Sequence, residues 1–211
     1  MSSRVRVKIC GITNREDAEA AIALGADALG FNLFPGSKRH IVLDENAAWI
    51  AALPPFVAKV AVLVNAPFDE ARRVALHPAI DLVQFHGDED AGYCRQFAAL
   101  GLPFIKALRV RDAGDIPQAA DFSTRNVLID AHVEGAYGGT GATIALPLAR
   151  EIVHRHPHLR ILLAGGLTPE NVAEAARVVR PFAVDVAGGV ESAPRKKDPA
   201  KIAAFVASLD R

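Results

Sequence analysis

Cysteine is nearly absent from this chain of 211 residues: Cys10 and Cys94 are the only two, and their spacing matches no paired metal or redox motif. That argues against a disulfide framework and for a reducing compartment, most simply the cytoplasm. Net charge is missing as well. Lys plus Arg and Asp plus Glu both number 24, so no global field favours nucleic acid or an anionic membrane, and a negative ligand has to be held by local groups. No apolar run approaches the ~20 residues that a bilayer requires, and Met1 to Cys10 is charged, without the apolar stretch of a secretory signal. No linker, low-complexity tract or charge block divides the chain, so residues 1–211 read as one domain, and 51% hydrophobic content suffices for one sizeable core.

What is present is an alternation. Val5, Val7 and Ile9 are β-branched and alternate with Arg6 and Lys8, which predicts a strand that delivers Cys10 to its carboxyl end and breaks at Gly11. Thr13 stands three residues before Glu16, the spacing of a capping box that opens a helix. Seven more strand candidates follow: Asp27 to Phe31, Val57 to Val64, Asp81 to Phe85, Pro103 to Leu108, Asn126 to Ala131, Arg160 to Ala164 and Phe182 to Val186. Helix candidates alternate with them: Asn14 to Leu24, Asp44 to Leu53, Phe68 to Leu76, Glu89 to Leu100, Asp112 to Ala120, Ile144 to His156, Pro169 to Val179 and Pro199 to Leu209. The fifth of these is interrupted by Gly114 and Pro117. Val172, Ala175, Ala176 and Val179 share one helix face, as do Ile202, Phe205, Val206 and Leu209. Thr168-Pro169 and Asp198-Pro199 each place a capping side chain before a proline suited to the first helical position. Eight such units in a chain of this length predict a single α/β domain, a (β/α)8 TIM barrel. A doubly wound open sheet is the alternative; closure is preferred because the strands read apolar throughout and none is an obvious edge.

In a parallel barrel the ligand site lies where strands end. Cys10 follows the first strand, Ser37-Lys38-Arg39 the second, His86-Gly87-Asp88 the fourth, and Asp130 ends the sixth. Glycine-rich segments follow the sixth, seventh and eighth: Gly138-Gly139-Thr140-Gly141, Gly165-Gly166 and Gly188-Gly189. Backbone amides approach a phosphate closely only where no Cβ intervenes, and the loops after strands seven and eight of such barrels commonly hold one with a helix N-terminus. Tight turns also favour glycine; two pairs on the expected strands favour a phosphosugar. Cys10 and Asp130 stand on different strands at the same barrel end, so one can accept a proton while the other gives one. The plainer readings are a small buried thiol and a loop-capping carboxylate. Lys8, two residues from Cys10, shares its strand face and can bring a cation beside it. His154, His156 and His158 gather at a helix end and read as a solvated turn.

Taken together, Lys8-Ile9-Cys10-Gly11-Ile12-Thr13, Ser37-Lys38-Arg39, Val83-Gln84-Phe85-His86-Gly87, Leu128-Ile129-Asp130, Gly138-Gly139-Thr140-Gly141, the run from Gly165 to Val172 and the run from Arg180 to Val186 resemble the phosphoribosylanthranilate isomerase family. The likeness runs from Arg6 to Asp198. It implies a barrel of the ribulose-phosphate-binding type and a step of tryptophan biosynthesis: the Amadori rearrangement of N-(5-phosphoribosyl)anthranilate to 1-(2-carboxyphenylamino)-1-deoxyribulose 5-phosphate. The resemblance further implies Asp130 as general acid and Cys10 as general base. It implies Arg39 as partner of the anthranilate carboxylate, substrate contacts at Asp185, Gln84 and His86, and phosphate contacts at Gly165, Gly166, Gly188 and Gly189. The substrate's own nitrogen is the electron sink, so no metal or organic cofactor is expected. The expected partner is a small phosphosugar, with no nucleic acid and no membrane; monomer and homodimer both stay open.

Two departures stand out. Where the family commonly has Ser-Ser-Gly after the eighth strand, this chain has Ala187-Gly188-Gly189; after Gly141 it reads Ala142-Thr143-Ile144-Ala145-Leu146 in place of Lys-Thr-Phe-Asp-Trp. Lost hydroxyls and a lost cation bear on phosphate affinity and substrate range. One rival reading is a metal-dependent phosphosugar epimerase using Asp130, His132, His86 and Asp185, which leaves Cys10 and Arg39 without roles. Another is a phosphosugar-binding barrel without catalysis.

Overall fold

A computed structural model describes residues 4–110, 112, 121–131 and 145–209. The expected fifth helix, apart from Asp112, lies outside the described residues, as do His132, Gly138-Gly139-Thr140-Gly141 and residues 142–144. Eight parallel strands run in sequence order: β1 (Arg6–Cys10), β2 (Ala28–Asn32), β3 (Ala58–Leu63), β4 (Leu82–Phe85), β5 (Phe104–Val110), β6 (Asn126–Ala131), β7 (Arg160–Leu163) and β8 (Ala183–Val186). They form a closed barrel. Closure is made by β8 against β1, from Arg6 opposite Ala183 to Ile9 opposite Val186; the open-sheet alternative is thereby set aside.

Strand parity sorts the residues into two apolar layers, because successive side chains point to opposite faces. Val7, Ile9, Leu29, Phe31, Val83, Phe85, Val127, Ile129, Val184 and Val186 face outward and join the large core shared with the helices. Val60, Ile105, Ala107, Leu128, Leu162 and Ala183 face inward and fill the barrel. Lys8 and Cys10, Gln84, Asp130 and Asp185 share the inward parity. Polar chemistry is therefore stacked on top of the smaller inner core.

The outer helices are α1 (Arg15–Ala23), α2 (Leu43–Ala51), α3 (Phe68–Ala75), α4 (Ala91–Ala98), α5 (Leu146–Arg155), α6 (Val172–Val179) and α7 (Pro199–Ala207). The stripes expected on α6 and α7 are seated in the core: Val172, Ala175 and Val179 are buried, as are Ile202, Phe205 and Leu209. Asp198 caps α7 as expected, accepting from the backbone of Ala200 and Lys201. Two other expected starts are corrected. The α1 cap is Asn14, one residue beyond Thr13, and its side chain accepts from Asp17 N at 2.8 Å and donates to Asp17 Oδ2 at 3.1 Å. Thr13 Oγ1 instead donates to the carbonyl of Arg195. Thr168-Pro169 opens a turn that precedes α6, whose N-cap is Asn171. Asn171 accepts from Thr168 N at 2.8 Å and donates to Gly166 O at 2.9 Å, bracing the loop that follows β7. After β8 the chain makes a 3-10 turn at Gly188–Val190 and a short antiparallel hairpin, β9 (Glu191–Ala193) with β10 (Lys196–Lys197), before α7 begins.

Candidate active site

At the carboxyl ends of the strands a cavity of about 320 Å³ is lined by Cys10, Arg39, His86, Asp130, Asp185 and both glycine pairs, Gly165-Gly166 and Gly188-Gly189. These come from β1, the loop after β2, β4, β6, β7 and β8, so six separated segments converge because a closed barrel brings all its strand ends to one rim. Gln84 is fully buried and does not line the cavity. Its amide nitrogen lies 2.7 Å from His86 Nδ1, and since an amide nitrogen only donates, the neutral imidazole carries its proton on Nε2. That Nε2 is buried without a hydrogen-bond partner and sits 3.6 Å from Asp130 Oδ2.

The thiol is embedded among charges. Lys8 Nζ, buried inside the barrel, donates to Asp185 Oδ1 at 2.8 Å. A β-carbon placed on Gly30 would lie 2.7 Å from Cys10 Sγ and 3.0 Å from Lys8 Nζ, so the glycine of β2 makes room for both heads. Burial pushes the Cys10 thiol above its ordinary value near 9.0; Lys8 and Lys197 pull it down and Asp185 pushes it up. Burial acts on Lys8 in the opposite sense, yet Asp185 and Cys10 outweigh it and raise Lys8 above its usual range. The ammonium is thus held charged beside the thiol.

The glycine loops present backbone. Gly165 and Gly166 adopt φ of 88° and 58°, a left-handed pair that side chains disfavour. A β-carbon on Gly189 would fall 1.9 Å from the carbonyl oxygen of Leu167, so the loops after β7 and β8 touch each other backbone to backbone. A concave strip of peptide groups at that contact suits a phosphate.

Arg39 enters from the loop after β2, where Ser37 Oγ accepts from its backbone N–H at 3.1 Å. Its guanidinium is not isolated. Nε donates to Glu191 Oε1 at 2.7 Å and Nη2 to Glu191 Oε2 at 2.6 Å. Glu191 Oε1 also accepts from Lys197 Nζ at 3.0 Å. Sequence reasoning missed both Glu191 and Lys197; the one available signal is Glu191, a charged residue two positions beyond the glycine pair of the eighth strand, whereas Lys197 lies six residues further on. Among the rival metal ligands, His132 is outside the described residues and Asp185 is committed to Lys8. Among the described residues no helix is long and apolar enough to cross a membrane.

The fold and the position of the site define a (β/α)8-barrel protein whose ligand cavity is built at the carboxyl ends of its strands. Residues 7–208 match the family model for N-(5'phosphoribosyl)anthranilate (PRA) isomerase. A relative from Neisseria meningitidis named N-(5'-phosphoribosyl)anthranilate isomerase is 48% identical over 210 residues, 99% of this chain and 98% of its own. The crystal structure of phosphoribosyl anthranilate isomerase from Thermotoga maritima superposes with a TM-score of 0.87 at 40% identity, over 97% of this chain and 98% of that one. A second crystal structure, with TM-score 0.82, 39% identity and the same coverage, holds reduced 1-(o-carboxyphenylamino)-1-deoxyribulose 5-phosphate. The chain belongs to the phosphoribosylanthranilate isomerase family.

Proposed function

We propose that this chain carries out the Amadori rearrangement of N-(5-phosphoribosyl)anthranilate, with Asp130 as general acid and Cys10 as general base. The observation that carries the reading is the shared cavity: Asp130 and Cys10 reach it from β6 and β1, between the glycine loops and Arg39. Asp130 protonates the furanose ring oxygen, the C1–O bond breaks, and the substrate nitrogen lone pair becomes an iminium. The Cys10 thiolate removes the acidified C2 proton, and those electrons neutralise the iminium as an enolamine. The enolamine takes a proton at C1 as its C2 hydroxyl loses one, leaving the ketone.

The remaining groups orient the substrate. Gly165, Gly166, Gly188 and Gly189 are assigned to the phosphate through their amides, and Arg39 to the anthranilate carboxylate through a planar fork. His86 Nε2, buried without a partner, is assigned a substrate oxygen, with Gln84 fixing the tautomer beneath it and acting on the substrate only through His86. Asp185 acts beside the substrate by keeping Lys8 charged. The test is turnover of freshly made phosphoribosylanthranilate by the purified protein, followed by the loss of its anthranilate-type fluorescence. Conversion to the aminoketose is expected; binding without turnover would leave a non-catalytic phosphosugar barrel in its place.

A further inference from the structure

The hairpin after β8 is tied to the catalytic rim by more polar contacts than a surface connection needs. Lys197 is 2% exposed, and its ammonium donates to three acceptors: Cys10 O at 2.7 Å, Ala187 O at 3.0 Å and Glu191 Oε1 at 3.0 Å. Its own backbone N–H donates to Asp17 Oδ2 at 2.9 Å, the residue that Asn14 engages at the start of α1. Lys201 Nζ holds the carbonyl of Glu191 at 2.8 Å. The hairpin is thus clamped from β1, α1 and α7 at once.

We infer that Glu191 and Lys197 are positioning residues that aim Arg39 at the substrate carboxylate while Lys197 fixes the peptide carbonyl of Cys10. This rests on the isomerase reading above. A guanidinium has two bidentate edges. Glu191 takes the edge formed by Nε and Nη2, which leaves the edge formed by Nη1 and Nη2 for an incoming carboxylate without displacing Glu191. Two cations share one carboxylate, so the Arg39, Glu191 and Lys197 group carries a net charge of about +1 when Lys197 is protonated, the sign that an anthranilate carboxylate needs. Nη2 of Arg39 would stand 3.3 Å from a β-carbon on Gly188, so the arginine is also boxed in from the β8 loop. Removing Glu191's charge leaves the buried Lys197 ammonium facing the half-buried Arg39 guanidinium and turns Arg39 away from its aim.

The test compares wild type, Glu191→Gln and Lys197→Met on phosphoribosylanthranilate and on the phosphoribosyl derivative of aniline, which lacks the carboxylate. The structure predicts that Glu191→Gln raises KM for the anthranilate substrate by roughly tenfold or more, the scale of a lost charge-assisted contact, with kcat changed by less than about threefold. KM for the aniline substrate stays near wild type. On an Arg39→Met background Glu191→Gln adds no further change. Glu191→Asp, which keeps the charge, recovers part of the loss and guards against a variant that merely folds poorly. Lys197→Met is expected to raise the same KM and also to lower kcat, because the Cys10 peptide is released. Equal losses on both substrates, or an unchanged KM in an active Glu191→Gln protein, would overturn the inference alone. An inactive wild type would overturn the isomerase reading and this inference with it.

Discussion

Cys10 is asked to be a base in a place that disfavours its charge. Burial holds the thiol above 9.0, opposed chiefly by Lys8. A base works only when deprotonated, so the rate of Cys10 alkylation by iodoacetamide, which follows the thiolate fraction alone, is expected to climb with pH through neutrality and past pH 9. Lys8→Met removes the cation that favours the thiolate, so the climb moves to still higher pH and kcat/KM at pH 7.5 falls by about tenfold, the effect of roughly one pKa unit. A pH profile identical to wild type would place Lys8 outside the chemistry. Glu191 gives a second titration. Burial raises its carboxyl, but the hydrogen bond from Arg39 and then the charge of Lys197 outweigh that and leave it lowered. A lowered carboxylate stabilises the fold fully above about 4.5 and loses that contribution as pH falls through the folded value. Glu191→Gln should therefore flatten the acid limb of stability against pH, read by urea unfolding between pH 6 and 3. Lys8 was legible from strand parity, because two residues' separation fixes a shared face. Glu191 was not: its partner Arg39 lies 152 residues away, a distance across which a sequence pattern carries no geometry.

Among the described elements, the strands and helices match the expected segments well and their starts less so. Alternation of apolar residues with a period of two or of 3.6 is a property of many side chains together. A helix start depends on one or two, which explains Asn14 displacing Thr13: both can cap, and the reciprocal bond with Asp17 decides. Pro169 misled for a related reason, since proline fits the second residue of a β-turn as well as the first of a helix. The cap that was read correctly predicts a stability effect. Asp198→Ala should cost about 1 kcal/mol, measured by urea denaturation, with kcat and KM unchanged. The loops after β7 and β8 predict a functional effect instead. Gly189→Ala drives a β-carbon into the Leu167 carbonyl, so the proposed phosphate cradle must open; KM should rise by roughly 10- to 100-fold, the loss of one or two hydrogen bonds to a charged group, in a protein that still unfolds cooperatively. A normal KM would remove these loops from the phosphate site.

The whole molecule explains why a site drawn from six segments was still partly visible. A closed parallel barrel sends every strand end to one rim, so Cys10, His86, Asp130 and the glycine pairs could be grouped by their place after a strand. Residues that reach the rim from a later hairpin fall outside that rule. The outer core sustains the rim: Phe85 is fully buried, with ring centroids 4.9 Å from Phe97, 5.2 Å from Tyr93 and 5.4 Å from Phe104. Its neighbour in sequence is His86, so packing on one side of β4 sets chemistry at its end. In the proposed rearrangement Asp130 is the acid and Cys10 the base, and single-turnover assays of Cys10→Ala and Asp130→Asn separate the two roles, beside binding of a reduced product analogue that cannot react. Turnover is expected to fall by about 10²- to 10⁴-fold in each variant, with analogue affinity close to wild type. Turnover within about threefold of wild type in either variant, well short of a general acid or base effect, would contradict that assignment.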